Sequence, residues 1–349
     1  MSRRRLLAAL ALAPFLSFAA RPAGAAPERK LFLGNWSNYM PADVVTDFQK
    51  EQGCQVEMPW VYGSNEDLLA KLQTKATGFD VVVPSDVILG LLVSQGLLER
   101  IDPAKVPNLR HVDPDFLGRA ADPKNEWSVP YTWGTVGIAW RADKIAGDVD
   151  SWGVFATDRA KGNAYLLEEG RDGIAAALLA KGRDVNTTDP KDLAEAKETL
   201  LSWKGNLKGF TGEVKDHLLS GEAWLLEAYN GDVAQAMQER KGVYRFAVPK
   251  EGGILWVDNL VIPKGAPSKD LALAFLDYIL RPDVAARVSN GIRYAVPNKD
   301  ALEKVDKSIR EDPVIYAPEE VRKRLKQERD LGDGLRLYTD LWSEVRAGG

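Results

Sequence analysis

The chain has 349 residues, with 46 basic and 50 acidic side chains, two histidines and one cysteine. A single cysteine, Cys54, forbids an intramolecular disulfide, and His111 and His217 stand too far apart in sequence to give a metal-ligand spacing. No dense Lys/Arg stripe occurs, which argues against nucleic acid as a partner.

Residues 1–25 read as a secretory signal. Arg3-Arg4-Arg5 precedes the apolar run Leu6 to Ala20, and Ala23-Gly24-Ala25 offers a small-residue cleavage site. The run is too short for a membrane span, so no stable insertion in the bilayer is expected. Ser2-Arg3-Arg4-Arg5-Leu6-Leu7 resembles a twin-arginine signal, although the lysine that often follows is absent. Cleavage after Ala25 removes four arginines and no acids, leaving 42 basic against 50 acidic residues and a formal charge of about −8. An acidic exported protein is expected, and its mean field favours a cationic small ligand.

The remaining chain, about 324 residues long, exceeds what one hydrophobic core usually supports, so two lobes are expected. Strand and helix alternate at the start. Lys30–Gly34 reads as a strand, Ala42–Gln52 as a helix stopped by Gly53, and Gln55–Val61 as a second strand. Ser64–Asn65 caps a helix carried to Thr77, with Leu68, Leu69 and Leu72 on one face, and stopped by Gly78. Phe79–Pro84 is a near-continuous apolar strand of the kind covered on both faces, with Ser85 at its carboxyl end before another helix. Ligands of open α/β sheets bind at the carboxyl ends of strands, so Trp36–Tyr39 and Ser85 stand where a site is expected.

From Tyr131 to Trp140 the chain reads as a long, glycine-containing strand suited to crossing between lobes. A second α/β block follows, with strands near Ala164–Leu167, Trp224–Tyr229 and Tyr244–Val248, and helices over Asp172–Lys181 and Pro190–Lys204. Ile254–Ile262 is a buried strand, bounded by Pro249, Gly252-Gly253 and Pro263, that crosses back. Ser268–Leu280 is an amphipathic helix, Pro282 opens the next, and a charged helical tail from about Pro318 packs across the second lobe. This divides the chain into 26–133 plus 256–316 as lobe 1 and 134–255 plus 317–349 as lobe 2, an α/β two-lobed architecture with crossing segments.

Side chains alternate across a strand, so Trp256 and Asp258 project to the same side of Ile254–Ile262. A carboxylate among apolar residues is costly to bury without a cation, and an indole face attracts an organic ammonium. The alternative is a core tryptophan beside an acid at a wet strand end. Trp133 and Trp152 read as packing residues at the lobe junction, and Cys54 as a small buried residue at a helix-to-strand turn.

Seven segments in the same order resemble the periplasmic polyamine-binding proteins of ABC importers, the spermidine/putrescine group of the type II solute-binding family. They are Asn35-Trp36-Ser37-Asn38-Tyr39, Asp80–Ser85 (DVVVPS), Val129–Gly134 (VPYTWG), Asn186–Pro190 (NTTDP), Pro249–Asp258 (PKEGGILWVD), Leu280–Ala285 (LRPDVA) and Tyr294–Asn298 (YAVPN). The resemblance covers nearly the whole mature chain and implies a monomer in the periplasm that closes on a polyamine and hands it to a membrane permease, with no cofactor. It places Trp36 and Trp256 as walls of an aromatic box, with Tyr39 and Tyr294 close by and Ser85 a polar contact. Asp258 faces an ammonium. Glu169 and Asp172 match the family's acidic pair, with Asp and Glu exchanged. Tyr229 stands at a tryptophan position, and Asp232 resembles the extra acid of putrescine-type members. Asn38 replaces a usual acid after Ser37, Val87 replaces a tyrosine, and Glu328 or Gln327 falls near a family glutamine. Spermidine and putrescine both fit this pattern.

Other readings of the same residues are open at this point. Glu169 and Asp172 sit where acids stabilise the start of a helix, and Asp232 can be an ordinary surface acid. An exported hydrolase or transferase is disfavoured by the lack of a Gly-x-Ser-x-Gly elbow, a metal-ligand cluster or a Cys/His pair. A receptor for another amine, an amino acid, a sugar or ferric ion is the alternative, with Arg171 and Arg293 available to an anion and Tyr39, Tyr229 and Tyr294 to iron.

Overall fold

The computed structural model describes residues 29–74 and 77–348, so the signal segment 1–25 lies outside the described residues. In chain order the opening elements are β1 (Lys30–Asn35), α1 (Ala42–Gln52), β2 (Gln55–Val61), α2 (Asn65–Gln73), α3 (Asp86–Ser94) and β3 (Ser128–Arg141). β4 (Ala164–Leu167), α4 (Gly170–Ala180), α5 (Pro190–Lys204), β5 (Leu207–Thr211), α6 (Val214–Ser220), β6 (Leu225–Tyr229), α7 (Asn230–Glu239) and β7 (Tyr244–Ala247) follow. The last are β8 (Gly253–Val261), α8 (Lys269–Ile279), α9 (Pro282–Ile292), β9 (Leu325–Lys326) and a C-terminal helix, Leu335–Ala347.

Local chemistry accounts for the boundaries. Val44, Val45 and Phe48 bury one face of α1, which Gly53 ends in the left-handed region at φ 57°, donating its N–H to the Gln49 carbonyl. Ser64 Oγ accepts from the Asp67 N–H at the start of α2. That helix ends at Gln73 with Thr74 as its cap, four residues short of the expected Thr77. Phe79–Pro84 is buried as expected but makes single bridges, Leu33 to Val81 and Val82 to Val261, rather than a continuous ladder. β5, α6 and α7 were not legible in the sequence pattern; β5 is only half-buried and carries a lysine and a glycine.

Two strands tie the molecule together. The amino-terminal half of β3 pairs antiparallel with β8, from Ser128 opposite Val261 to Val136 opposite Ile254. Its carboxyl-terminal half pairs with β6 on one side and β7 on the other. The main sheet runs β5-β4-β6-β3-β8-β9, with β7 also on β3, and β1 and β2 form a parallel pair beside the Val81 segment.

Buried side chains gather into two large cores. One unites β1, α1, the first part of β3, α8, α9 and residues up to Ile315. The other unites the end of β3, β4, α4, α5, β6 and the C-terminal helix. Trp256 and Tyr229 pack against both. Trp133 is buried between Phe116 and Tyr316 near this junction. Trp152 is not at the junction: it is 1% exposed inside the second core and donates to the Gly252 carbonyl at 2.9 Å. Cys54 is buried at the α1-to-β2 turn. No helix among the described residues is long and apolar enough to cross a membrane.

Candidate functional site

Between the two cores lies a cleft of about 910 Å³, counted to its mouth, and all thirteen residues singled out from the sequence line it: Trp36, Ser37, Asn38, Tyr39, Ser85, Glu169, Asp172, Tyr229, Asp232, Trp256, Asp258, Tyr294 and Glu328. Arg293, considered above as an anion partner, does not line it.

β-sheet register makes room for the central indole. Trp256 lies opposite Gly134 on β3. A Cβ at Gly134 would stand 2.3 Å from the Trp256 ring, so the missing side chain is what lets the indole lie across the strand. Two residues on, Asp258 lies opposite Thr132. Asp258 is 5% exposed; its Oδ1 accepts from Ser85 Oγ at 2.6 Å and its Oδ2 from the Tyr39 hydroxyl at 2.7 Å. The Tyr39 hydroxyl also meets Thr132 Oγ1. Burial pushes the Asp258 carboxyl up to about 7 against the pull of both hydrogen bonds.

Aromatic rings run through the cleft in edge-to-face contact. Trp36 meets Tyr62 at 4.5 Å and is fixed by donating Nε1–H to the Val83 carbonyl at 2.8 Å. Tyr294 stands 5.2 Å from Tyr39 and 5.3 Å from Trp256, which in turn stands 6.1 Å from Tyr229. Tyr294 follows Arg293, which ends α9 in the left-handed region at φ 56°. Its hydroxyl accepts from the Asp232 N–H at 3.1 Å, and Gly231 permits this approach because a Cβ there would meet the ring at 2.4 Å.

A second acidic group comes from the other core. Glu169 occupies the cap position of α4 yet makes no cap bond to it. Instead its Oε2 accepts from the Asn65 backbone N–H at 3.0 Å and side-chain amide at 3.3 Å. Asp172 Oδ2 accepts from the Tyr229 hydroxyl at 2.8 Å. Glu169 and Asp172 are 6% and 5% exposed. Burial holds both carboxyls well above the usual range, with Glu66 and Asp172 adding to the effect at Glu169, and Glu328 and Glu227 at Asp172. Stabilising the start of α4 is therefore not the role their geometry fits.

The tail register resolves in favour of Glu328, which lines the cleft, whereas the Gln327 carbonyl accepts from Asn186 Nδ2 at 2.9 Å. Arg171 is not free for an anion: its Nε lies 3.6 Å from Glu328 Oε1. Asn38, exposed and at φ 53°, sits with Ser37 at the mouth, its amide 3.3 Å from Ser37 Oγ. Among the described residues, none of Glu169, Asp172, Asp232 and Asp258 has a cation within 4 Å. The sequence reading missed further lining residues, including Tyr62, Asn65, Asp86, Glu213 and Lys215. The last two follow β5, and the strand-end rule would have found them had that strand been legible.

Such a cleft, with aromatic walls and unpaired carboxylates from both cores, offers the chemistry that a cation with an apolar body requires. Residues 43–317 match the family model of bacterial extracellular solute-binding proteins, and the chain belongs to that family. Its fold is the type II periplasmic-binding-protein fold. The spermidine/putrescine-binding periplasmic protein of Escherichia coli (strain K12) is 34% identical over 348 residues, covering 99% of this chain and 98% of that one. The putrescine/agmatine-binding protein of Pseudomonas aeruginosa is 32% identical over 362 residues, covering 97% and 98%. Among solved structures, a spermidine/putrescine ABC transporter protein from Listeria monocytogenes superposes with a TM-score of 0.86 at 30% identity, covering 91% of this chain and 99% of that one.

Proposed function

We propose that this protein captures a polyamine, spermidine or putrescine, in the cleft between its lobes and delivers it to the permease of an ABC importer. Residues 26–133 with 256–316 form one lobe, and 134–255 with 317–349 the other. The observation that carries the reading is the pairing of indole and phenol rings with four carboxylates, Glu169, Asp172, Asp232 and Asp258, that have no cation within 4 Å among the described residues. Each ammonium leaving water needs such a partner, while each methylene buried against a ring contributes about 0.8 kcal/mol. The protein acts without catalysis, as a periplasmic monomer exported by the signal in residues 1–25.

The hydroxyls of Tyr39 and Tyr229 donate to Asp258 and Asp172, and that of Tyr294 accepts from the Asp232 N–H, so all three are engaged by groups of the protein rather than presented together to a ferric ion. An amino-acid carboxylate lacks a free guanidinium, since Arg171 is engaged by Glu328. Calorimetry of the purified protein against putrescine, spermidine, γ-aminobutyrate and an amino-acid mixture tests the reading. Binding confined to the amines supports it, and binding of the amino acids alone sinks it.

A further inference from the structure

Among the described residues that line the cleft, Lys215 is the one cation. It stands at the start of α6, two residues after Glu213, which lines the cleft as well. Its side chain is 20% exposed, and its Nζ rests on Glu239 Oε1 at 2.8 Å, at the end of α7. The cleft thus carries an ammonium of the chain's own, the same chemical group that ends a polyamine.

Helix geometry sets the choice open to that ammonium. Asp232 and Glu239 are seven residues apart on α7, almost two full turns, so both acids lie on one face, about 10 Å apart along the axis. Gln235 and Ala236 stand between them, neither offering the lysine a carboxylate. α6 packs beside α7, and Lys215 reaches both acids in different ways: it touches Glu239 and acts on Asp232 through space. Burial pushes the Asp232 carboxyl up to about 7, with Glu213 and Asp216 adding to the rise and the Tyr294 hydroxyl and Lys215 opposing it. A carboxylate so placed gains from any ammonium that comes to it, but two ammoniums repel each other there. The hold on Lys215 is loose, because the Glu239 side chain is 51% exposed and an ion pair in water contributes little. Lysine, a point charge on a flexible four-carbon stem, can change partners where a stacked guanidinium does not.

We propose that Lys215 is an affinity-determining residue, a tethered ammonium that competes with the ligand for Asp232. With Lys215 on Glu239, as the structure has it, Asp232 is open to the ligand. With Lys215 on Asp232, the place is filled. The apparent affinity is lowered by the fraction of molecules in the second arrangement, and Glu239 acts through Lys215 by drawing it off. The proposal rests on the polyamine reading above.

Calorimetry with putrescine at pH 8, where Asp232 is ionised, and at one low ionic strength tests this. Lys215→Met is expected to bind about fivefold more tightly than wild type, and Glu239→Gln about threefold more weakly. Glu239→Gln has no effect once Lys215→Met is present, and Lys215→Met has none in the Asp232→Asn background. These pairs separate a competing ammonium from the mean field of its charge, which acts in every background. Unchanged or weaker binding in Lys215→Met overturns the proposal alone. So does an undiminished gain from Lys215→Met in Asp232→Asn, or an undiminished loss from Glu239→Gln without Lys215. If Asp232→Asn abolishes binding, the Lys215 and Glu239 variants decide by themselves. Failure of the wild type to bind either putrescine or spermidine overturns the polyamine reading and the proposal with it. Should Lys215→Met not fold, as judged by its circular dichroism, Lys215→Gln takes its place with the same expected outcomes.

Discussion

Glu169, at the start of α4, and Asn65, at the start of α2, meet in the cleft: the Glu169 carboxylate accepts two hydrogen bonds from Asn65. Asn65 in turn presents its Oδ1 to the Ser85 N–H at 3.1 Å, so one side chain links Glu169 to the segment whose Ser85 supports Asp258. On the proposed function, ligand selects this arrangement over a more open one, so that closing the cleft and assembling the charged site are one event.

Glu169→Gln keeps an acceptor for Asn65 and removes the charge. We expect polyamine affinity to fall by more than tenfold in calorimetry, with the ligand-dependent compaction seen by small-angle X-ray scattering preserved at saturating ligand. Loss of compaction with unchanged affinity would assign Glu169 to closure alone.

Asp258 gives a pH dependence of definite sign. Its carboxyl is pushed up to about 7 in the fold, whereas an unfolded aspartate titrates near ~3.9. Between these values the native state holds the proton more tightly, so this group's contribution to stability is full below about pH 4 and is lost as pH rises through about 7. Ligand affinity runs the other way, increasing toward pH 7–8 as the carboxylate forms. Asp258→Asn should stabilise the ligand-free protein at pH 8 by about 1–3 kcal/mol in thermal melts, flatten its pH profile and weaken polyamine binding more than tenfold. A variant that melts lower at pH 8 and still binds would remove Asp258 from the site.

Gly134 controls Trp256. A methyl group there meets the indole at 2.3 Å and the Asn230 amide oxygen at 2.4 Å, so Gly134→Ala must displace the ring. Overpacking of this kind costs about 1–3 kcal/mol. We expect that loss in denaturant titration, together with at least a tenfold loss of polyamine affinity and a smaller change of tryptophan fluorescence on ligand addition. Normal binding would show that the indole is not a wall of the ligand site.

Gly212 and Gly63 meet backbone to backbone across the cleft, with a Cβ at Gly212 standing 3.1 Å from the Gly63 carbonyl oxygen. Neither glycine adopts a positive φ, so Gly212→Val is free of backbone strain and acts by propping the lobes apart. Stability should change little, while affinity falls several-fold and scattering shows a less compact ligand-bound state. Wild-type compaction in this variant would show that the contact does not limit closure.

Much of the fold was legible because its elements are marked by local chemistry. Gly53 after α1, Pro190 and Pro282 opening α5 and α9, and the apolar run in β8 each act within a few residues. β5 and α6 escaped because Leu207–Thr211 is half-buried and lacks alternation. Trp152 was misplaced because an indole's sequence neighbours do not say which of two cores receives it; its Gly252 bond does.

The sequence by itself determined the types of residue in the cleft and their faces: strand alternation alone puts Trp256 and Asp258 on one side, and the family segments carry the acids and rings. Which charges stay free was decided only in three dimensions. Arg171 and Glu328 are 157 positions apart, as remote to any local rule as Glu169 from Asn65, and only packing brings a guanidinium behind one carboxylate while leaving its neighbours bare. Short-range sterics and hydrogen bonding act along the chain, but desolvation and Coulomb energy depend on distance through space.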